Sequence, residues 1–491
     1  MGEEMKLAKL LENVEYKVVS GSVETEVNDI IYDSRKAAPG AAFFCLTGSR
    51  ADGHKYAADA VGAGCMAVIV SKPVELPENI TVIMIKNERQ TLARMSAALF
   101  GYPARDLKTI GITGTKGKTT MSYMIKAILE AAGKKTGLIG TNGVLIGEKK
   151  YPTKNTTPES YEIQKYLSMM RDDGCEYLVM EVSSQGLKTD RVEGIFYDIG
   201  IFSNISPDHI GKDEHADFEE YLFWKSSLLQ RCRVGLVNID DPHFEEIIKD
   251  HTCRLLTYSL NGKADFTASD VTGVHYPGFM GSEFCYSGKE AYRVLLDIPG
   301  VYNVYNALAA ICAAELLDIS KEAVLAAMKT VKVAGRMQIA YSGDRCTVIV
   351  DYAHNGVSAK SMLETLKEYN PKRLVVVFGC GGDRDPHRRY EMGEAVGKAA
   401  DIAVITNDNP RFEAPENIIK DIHKGFDPTG CPCVEIPDRR EAIAFAIEKS
   451  QEGDVIAIIG KGHEDYQEVR GVRTHLSDVE EVEKIIKKTG W

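Results

Sequence analysis

The 491-residue chain has no CxxC pair, no tract of 18 uninterrupted apolar residues and no apolar h-region near its N-terminus. Each absence excludes something. The eleven cysteines are scattered, and the closest two, Cys431 and Cys433, put two ligands on one short segment. That leaves a tetrahedral zinc site half empty, so the thiols read as reduced cysteines of a cytosolic protein with no special role. Without a long apolar tract, no segment is expected to span a bilayer. Residues 1–13 mix acids with lysines, so no secretory signal is expected and the localisation reads as cytoplasmic. Positive charge is also short, with 59 Lys and Arg against 71 Asp and Glu and a net charge of −12. This speaks against non-specific binding to nucleic acid or anionic membrane, although a local basic pocket could still hold a phosphorylated ligand. There is no internal repeat, low-complexity linker, coiled coil or long apolar edge, and a monomer is the default expectation.

What is present is ordinary globular sequence, 44% hydrophobic and 26% charged. At roughly 100–200 residues per domain, the length suggests about three domains. Residues 1–103 carry short β-like runs at 42–46, 67–70 and 81–85 around Gly/Ala-rich helical stretches, closed by Tyr102-Pro103. Residues 104–333 begin with a strand-like run at 107–113, a glycine-rich turn and a helical pattern at 119–133. Further strands are expected at 177–182, 199–203 and 234–238, and helices at 303–317 and 321–330. Residues 334–491 alternate most cleanly, with strands expected at 347–351, 373–378, 402–406, 433–436 and 455–459. Helical patterns lie between them, at 359–369, 389–400, 418–424 and 440–449. The fold class expected is α/β: a small N-terminal domain, a central mononucleotide-binding domain with a phosphate loop, and a Rossmann-like C-terminal domain. Ligands of such sheets bind beyond the carboxyl ends of the strands, where Asp351, Gly379, Asn407 and Gly460 fall.

The turn at Gly114-Thr115-Lys116-Gly117-Lys118-Thr119-Thr120 joins a strand to a helix. Glycines let backbone N–H groups curl around phosphate oxygens, and a helix N-terminus adds favourable partial charge. Lys118 would then sit on the β/γ-phosphates and Thr119 would offer its hydroxyl to Mg²⁺. The strict G-x-x-x-x-G-K-[ST] pattern fails at Ile112, and the shorter G-T-x-G-K-T-T form fits instead. A chance Gly-Lys-Thr in a surface turn is the bland alternative, and the strand-turn-helix context argues against it.

That shorter loop resembles the Mur ligases and the related folylpolyglutamate synthases, and further segments extend the resemblance. Glu181 in Met-Glu-Val-Ser-Ser ends a strand, and Asn204-Ile-Ser-Pro-Asp-His209 ends another. The resemblance makes them magnesium ligands, where a lone strand-end Glu would otherwise read as a solvated charge and a lone His as structural. A hard dication between a triphosphate and a carboxylate wants anionic oxygen, and an imidazole can complete its shell. Lys225, otherwise a helix-surface lysine, resembles the family's carbamylated lysine, an anionic oxygen ligand for a second metal. Gly300-Val-Tyr-Asn303-Val-Tyr-Asn306 resembles the family's helix start, whose first Asn faces the adenine, while Asn306 reads in any case as a capping Asn beside a buried Ala face. Arg336 is implied at phosphate, Asp351 at ribose and His354 near the nucleotide. The chain departs from the family pattern at Trp224, Ala334 and Gly356, where altered loop shape rather than lost activity is expected.

Within the family, Asp33-Ser34-Arg35, Asn155-Thr156-Thr157-Pro158, Ser183 and Arg191 resemble the UDP-sugar and peptide contacts of the member that adds a diamino acid. Hydroxyls and one Arg suit a diphosphate and carbonyl-rich ligand. Asp408-Asn409-Pro410-Arg411 resembles the meso-diaminopimelate type. The distal carboxylate of that amino acid can be gripped by Arg, whereas lysine lacks the carboxylate and its side chain would be repelled. Arg384 is implied at the α-carboxylate, with Glu464 and the Gly460 carbonyl at the distal amine. A plain turn is the bland reading of Asp-Asn-Pro. The resemblance thus implies ATP and Mg²⁺, the substrates UDP-MurNAc-L-Ala-D-Glu and meso-diaminopimelate, and an acyl phosphate attacked by the amine, with a C-terminal domain that closes on ATP. The rivals are a lysine-adding ligase, a folylpolyglutamate-type or other amide ligase, and a nucleotide-binding paralogue that has lost ligation.

Overall fold

A computed structural model describes residues 4–48, 51–211 and 214–490. Residues 1–3, where the expected absence of a secretory signal begins, and residue 491, where the expected C-terminal domain ends, lie outside the described residues. The chain packs as two compact units, residues 1–122 with 132–257 and residues 123–131 with 258–491.

The first unit opens with a five-stranded sheet in the order Tyr16–Ser20, Thr81–Ile85, Ala67–Val70, Ala42–Phe44, Ile30–Ile31. All four residues of Ala67–Val70 are buried, as expected of a parallel strand covered on both faces. The helix Glu88–Leu99, capped by the Asn87 side chain on Gln90 N, packs Leu92, Met95 and Ala98 against Leu7 and Leu10. Burial of each large apolar side chain of this kind stabilises by about 1.5–3 kcal/mol.

The same unit holds seven neighbouring strands of a larger sheet, in the order Lys149–Tyr151, Gly143–Ile146, Thr136–Gly140, Tyr177–Glu181, Lys108–Thr113, Tyr197–Phe202, Cys232–Asn238. The last five of these seven are parallel. Thr113, Glu181 and Phe202 therefore end side by side at one edge, and the helix Lys118–Ala131 starts there. This is what positions the first cluster of functional side chains.

In the second unit an antiparallel meander, Phe266–Tyr276, Phe279–Ser287 and Ala291–Leu296, precedes the buried helix Val301–Leu316. The six-stranded sheet that follows runs Gln338–Ser342, Cys346–Asp351, Asp454–Ile459, Leu374–Phe378, Ile402–Ile405, Cys433–Glu435, with only the first strand antiparallel. The doubly wound expectation holds, and Asp351, Phe378, Ile405 and Ile459 end at one edge. Expected elements are recovered with end shifts of a few residues: the strand expected at 199–203 is Tyr197–Phe202, and the helix expected at 359–369 is Gly356–Lys367. The meander, the hairpin Tyr466–Val469/Val472–His475 and the terminal helix Asp478–Thr489 had no counterpart in the sequence reading. Among the described residues no helix is long and apolar enough to cross a membrane.

Candidate functional site

The loop after Lys108–Thr113 is held by Asn204, which follows the neighbouring strand. The Asn204 carbonyl accepts Thr115 N at 2.9 Å, its Oδ1 accepts Lys116 N at 2.9 Å, and its Nδ2 donates to the Lys116 carbonyl at 3.0 Å. Gly114 has φ +140°, and a Cβ there would lie 1.9 Å from Ser203 Oγ, so only glycine lets the chain turn this close to the next strand. Gly117 also has positive φ, and Lys118 opens the helix. The first turn of any helix carries N–H groups with no intrahelical acceptor, so a glycine turn leading into one is a ready anion site. Thr115 Oγ1 accepts Ser206 N at 3.0 Å and meets the Tyr221 hydroxyl at 3.1 Å, while Thr120 is buried one turn along.

Glu181 is fully buried. Its Oε2 accepts the Thr119 hydroxyl at 3.0 Å and that of Thr141 at 3.1 Å, and its Oε1 accepts Thr141 N at 2.9 Å. Two hard oxygen donors, Thr119 and Glu181, thus face each other beside the phosphate loop, which is the donor chemistry that Mg²⁺ takes. Lys225 is buried in the helix Phe218–Ser226, with Nζ 2.8 Å from the Gly114 carbonyl and 4.9 Å from the centre of the Tyr221 ring. Lys118 Nζ donates to the same carbonyl at 2.7 Å. Burial, and then the neighbouring Lys118 charge, hold the Lys225 amine well below the usual lysine range. A neutral amine is the form that adds CO₂ to become a carbamate. His209 has φ +54° and is half exposed, its Nδ1 2.8 Å from Glu214 Oε1 and its ring 6.0 Å from that of Tyr221. Among the described residues no three His, Cys, Asp or Glu side chains form a metal cluster.

The residues expected at the UDP-sugar and peptide lie in the same unit. Ser34 opens a short 3₁₀ turn that Asp33 caps, and the Arg35 guanidinium bound to Asp33 holds that carboxyl down at about 2. Asn155 is exposed, and Thr156 Oγ1 lies 3.0 Å from Thr141 Oγ1. Thr157 is buried, donating to the Glu181 carbonyl at 3.0 Å and accepting Ser183 N at 2.9 Å. Ser183 caps the helix Ser184–Lys188 through Gly186 N, and Arg191 reaches both the Thr157 carbonyl and Glu159 at 3.0 Å. Thr157 thereby ties Glu181 to Ser183 and Arg191. Among the described residues no hydrogen bond joins Ser34 to this group.

In the second unit, Asn303 sits in the first turn of Val301–Leu316, its Nδ2 donating to the Pro299 carbonyl at 2.8 Å and its Oδ1 accepting Asn306 Nδ2 at 3.1 Å. Asp351 is buried, its oxygens accepting Met337 N at 2.7 Å and Ala353 N at 2.8 Å; burial raises its pKa against the pull of Arg336. Arg336 lies 5.0 Å over the Tyr352 ring, which His354 flanks from 4.7 Å. Arg336, Asp351 and His354 are therefore one group.

Buried Asn409 organises the segment Asp408-Asn409-Pro410-Arg411. Its Nδ2 donates to Glu464 Oε2 at 2.8 Å, its Oδ1 accepts Glu468 N at 2.9 Å, and its carbonyl accepts Gly382 N at 2.9 Å. The Gly382 carbonyl in turn accepts Arg411 NH1 at 2.7 Å. Arg411, at φ +53°, is pinned by Glu468 O at 3.0 Å and Arg470 N at 2.7 Å on the hairpin Tyr466–Val469/Val472–His475. Asp408 O accepts Gln467 Nε2 at 2.8 Å, Pro410 backs Gly382, and Gly460 N donates to Asp351 O at 3.2 Å. Burial, and then the Asp408 charge, push the Glu464 carboxyl up. Arg384 is exposed and stands outside this network.

Three family descriptions match successive parts of the chain: "Mur ligase family, catalytic domain" at 26–100, "Mur ligase middle domain" at 112–314 and "Mur ligase, glutamate ligase domain" at 335–462. The UDP-N-acetylmuramoyl-L-alanyl-D-glutamate–2,6-diaminopimelate ligase of Clostridium perfringens is 41% identical over 490 residues, covering 98% of this chain and 100% of that protein. The chain belongs to the Mur ligase family. A solved structure described by the same ligase name superposes with TM-score 0.74 at 32% identity, covering 99% of this Mur ligase and 100% of that chain. A MurF ligase from Thermotoga maritima, solved with ADP, shares the fold at TM-score 0.60 and 18% identity, covering 94% and 97%.

The three departures from the family pattern differ in how far the structure explains them. A Cβ on Gly356 would lie 2.8 Å from Glu391 O, so no larger residue fits at this helix start, which the Asn355/Ser358 capping box closes. Trp224 donates to Glu220 at 3.3 Å and packs on the core of its unit, leaving Lys225 buried. Nothing in the structure explains Ala334. The sequence reading missed Thr141 and Lys461, whose Nζ meets Asn409 Oδ1 at 3.3 Å and Glu464 Oε2 at 3.5 Å in full burial. Thr141 carries no motif signal, but Lys461 stood inside the Gly460-Lys-Gly-His-Glu464 run.

Proposed function

We propose that this Mur ligase adds meso-diaminopimelate to UDP-MurNAc-L-Ala-D-Glu in an ATP-dependent amide-forming reaction of peptidoglycan precursor synthesis. The observation that carries the choice of amino acid is the chain Arg411–Gly382–Asn409–Glu464, which fixes a guanidinium and a carboxylate in one hydrogen-bonded frame. The distal end of diaminopimelate bears a carboxylate and an ammonium, and such a pair of opposite charges matches it. Lysine brings only the ammonium.

Residues 1–103 are assigned to the UDP-sugar, 104–333 to the nucleotide and 334–491 to the amino acid. Gly114 to Thr120 cradle the triphosphate, with Lys118 neutralising charge as the γ-phosphoryl group passes to the acceptor carboxylate. Thr119, Glu181, His209 and carbamylated Lys225 would hold Mg²⁺, which supplies Lewis-acid charge neutralisation when bound. Asn303 serves the adenine, and Arg336, Asp351 and His354 the phosphate and ribose side. Ser34, Asn155, Thr156, Thr157, Ser183 and Arg191 hold the UDP-sugar and peptide. Arg384 takes the α-carboxylate of the incoming amino acid, Arg411 its distal carboxylate, and Glu464 with the Gly460 carbonyl its distal amine. The free amine then attacks the acyl phosphate and phosphate leaves. Both water-borne substrates fit a cytoplasmic monomer. Mass analysis of the product with ATP, acceptor and diaminopimelate tests the reading. A UDP-MurNAc-tripeptide is expected, and an unchanged acceptor beside hydrolysed ATP would refute it.

A further inference from the structure

A second chemical feature lies in the first unit, at the amino-terminal ends of its parallel strands and away from the strand ends that carry the phosphate loop. Gly200 and Gly235 are register partners on Tyr197–Phe202 and Cys232–Asn238. Neither has a side chain, and a thiol fills each gap. A Cβ on Gly200 would lie 2.7 Å from Cys232 Sγ, and one on Gly235 would lie 2.6 Å from Cys253 Sγ. The two sulfurs therefore lie over adjacent glycines of neighbouring strands, on the same face of the sheet. Leu228, Leu229 and Leu255 line the same niche. Cys232 is buried, whereas Cys253 is partly open to solvent. One thiol can thus meet a small oxidant while the other waits behind it.

We propose that Cys232 and Cys253 form a modification site, a dithiol that hydroperoxides convert to a disulfide and that a thiol reductant restores. The Cys253 thiolate attacks one peroxide oxygen, the O–O bond breaks, and a sulfenic acid forms with release of water or an alcohol. The Cys232 sulfur then attacks the sulfenic sulfur, the S–O bond breaks and water leaves. The two thiols lose two electrons and two protons in all, and the peroxide gains them. The electrostatics follow the same division of roles. Interaction with Cys232 pulls the Cys253 thiol down, whereas burial pushes up that of the more exposed Cys433. Thiolate character and exposure together decide which sulfur reacts first.

The test is peptide mapping of the folded, full-length protein after limited hydrogen peroxide, without reductant. A Cys232–Cys253 cross-linked peptide is expected, with two thiols lost per chain and both recovered on adding dithiothreitol. Cys253 should also alkylate at least about tenfold faster than Cys433, despite its lower exposure. In Cys232→Ser the resolving thiol is gone, so a dimedone-trapped sulfenic acid should accumulate at Cys253. Oxidation of Cys433 or other thiols ahead of this pair, or a cross-link no more abundant in the folded than in the denatured chain, would overturn the proposal.

Discussion

Gly114 and Lys225 carry the sharpest consequences of single side chains. In Gly114→Ala the new methyl group has to displace Ser203 or open the turn that Asn204 ties down. Turnover should fall by about 100-fold or more with nucleotide affinity, measurable by ATP titration and initial rates. Lys225 is the opposite case, a group whose burial costs the fold. Its folded-state pKa lies below the unfolded value, so the ammonium is penalised in the native state at neutral pH, and the penalty fades as pH rises through the lysine range. Lys225→Met removes that cost along with the metal-ligand role proposed for the carbamylated side chain. The melting temperature should hold or rise while activity drops by about two orders of magnitude. A loss of both together would mean that the lysine is structural. Glu464 sets a pH dependence. With its pKa raised, it loses charge early as pH falls, and a neutral carboxyl grips an ammonium poorly. The KM for the diamino acid should climb below neutral pH with kcat less affected, and Glu464→Gln should flatten that profile.

At the scale of elements, the two last helices of the second unit hang on a buried ion pair. Arg439 donates to both oxygens of Asp478 at 2.7 Å and to the Ile459 carbonyl at 3.1 Å, with both side chains fully buried. Asp478→Asn leaves the guanidinium uncompensated and should cost about 3–5 kcal/mol in denaturant unfolding. This pair was not legible in the sequence, because Arg439 lies just before the predicted helix and Asp478 is 39 residues away. The buried parallel strands were legible as continuous apolar runs; Ala67–Val70 and Thr81–Ile85 fall where expected. The meander was not. Phe266–Tyr276 exposes most of its length, so its alternation is blurred, and its plainest signal is the Pro277-Gly278 turn between Tyr276 and Phe279. The hairpin that pins Arg411 is similarly polar, with Arg470 and Gly471 both at positive φ in its turn. Motif residues were thus readable at strand ends, while the supports that fix their orientation, Thr141, Asn204 and Lys461, acquire meaning only through contacts distant in sequence.

At the scale of the whole molecule, the two units divide the chemistry. One holds the phosphate loop with Thr119, Glu181 and Lys225, and the other holds the Arg411–Asn409–Glu464 frame. Family membership fixes the class of reaction, and the frame in the second unit is the proposed selector of the amine that completes it. The most direct test is ATP-dependent phosphate release with UDP-MurNAc-L-Ala-D-Glu, offering meso-diaminopimelate and L-lysine separately to wild type and Arg411→Ala. Release with diaminopimelate alone is expected, falling by about 100-fold in kcat/KM in the variant, where a guanidinium–carboxylate contact is lost. Release with lysine but not diaminopimelate, or a variant indistinguishable from wild type, would contradict the role assigned to Arg411.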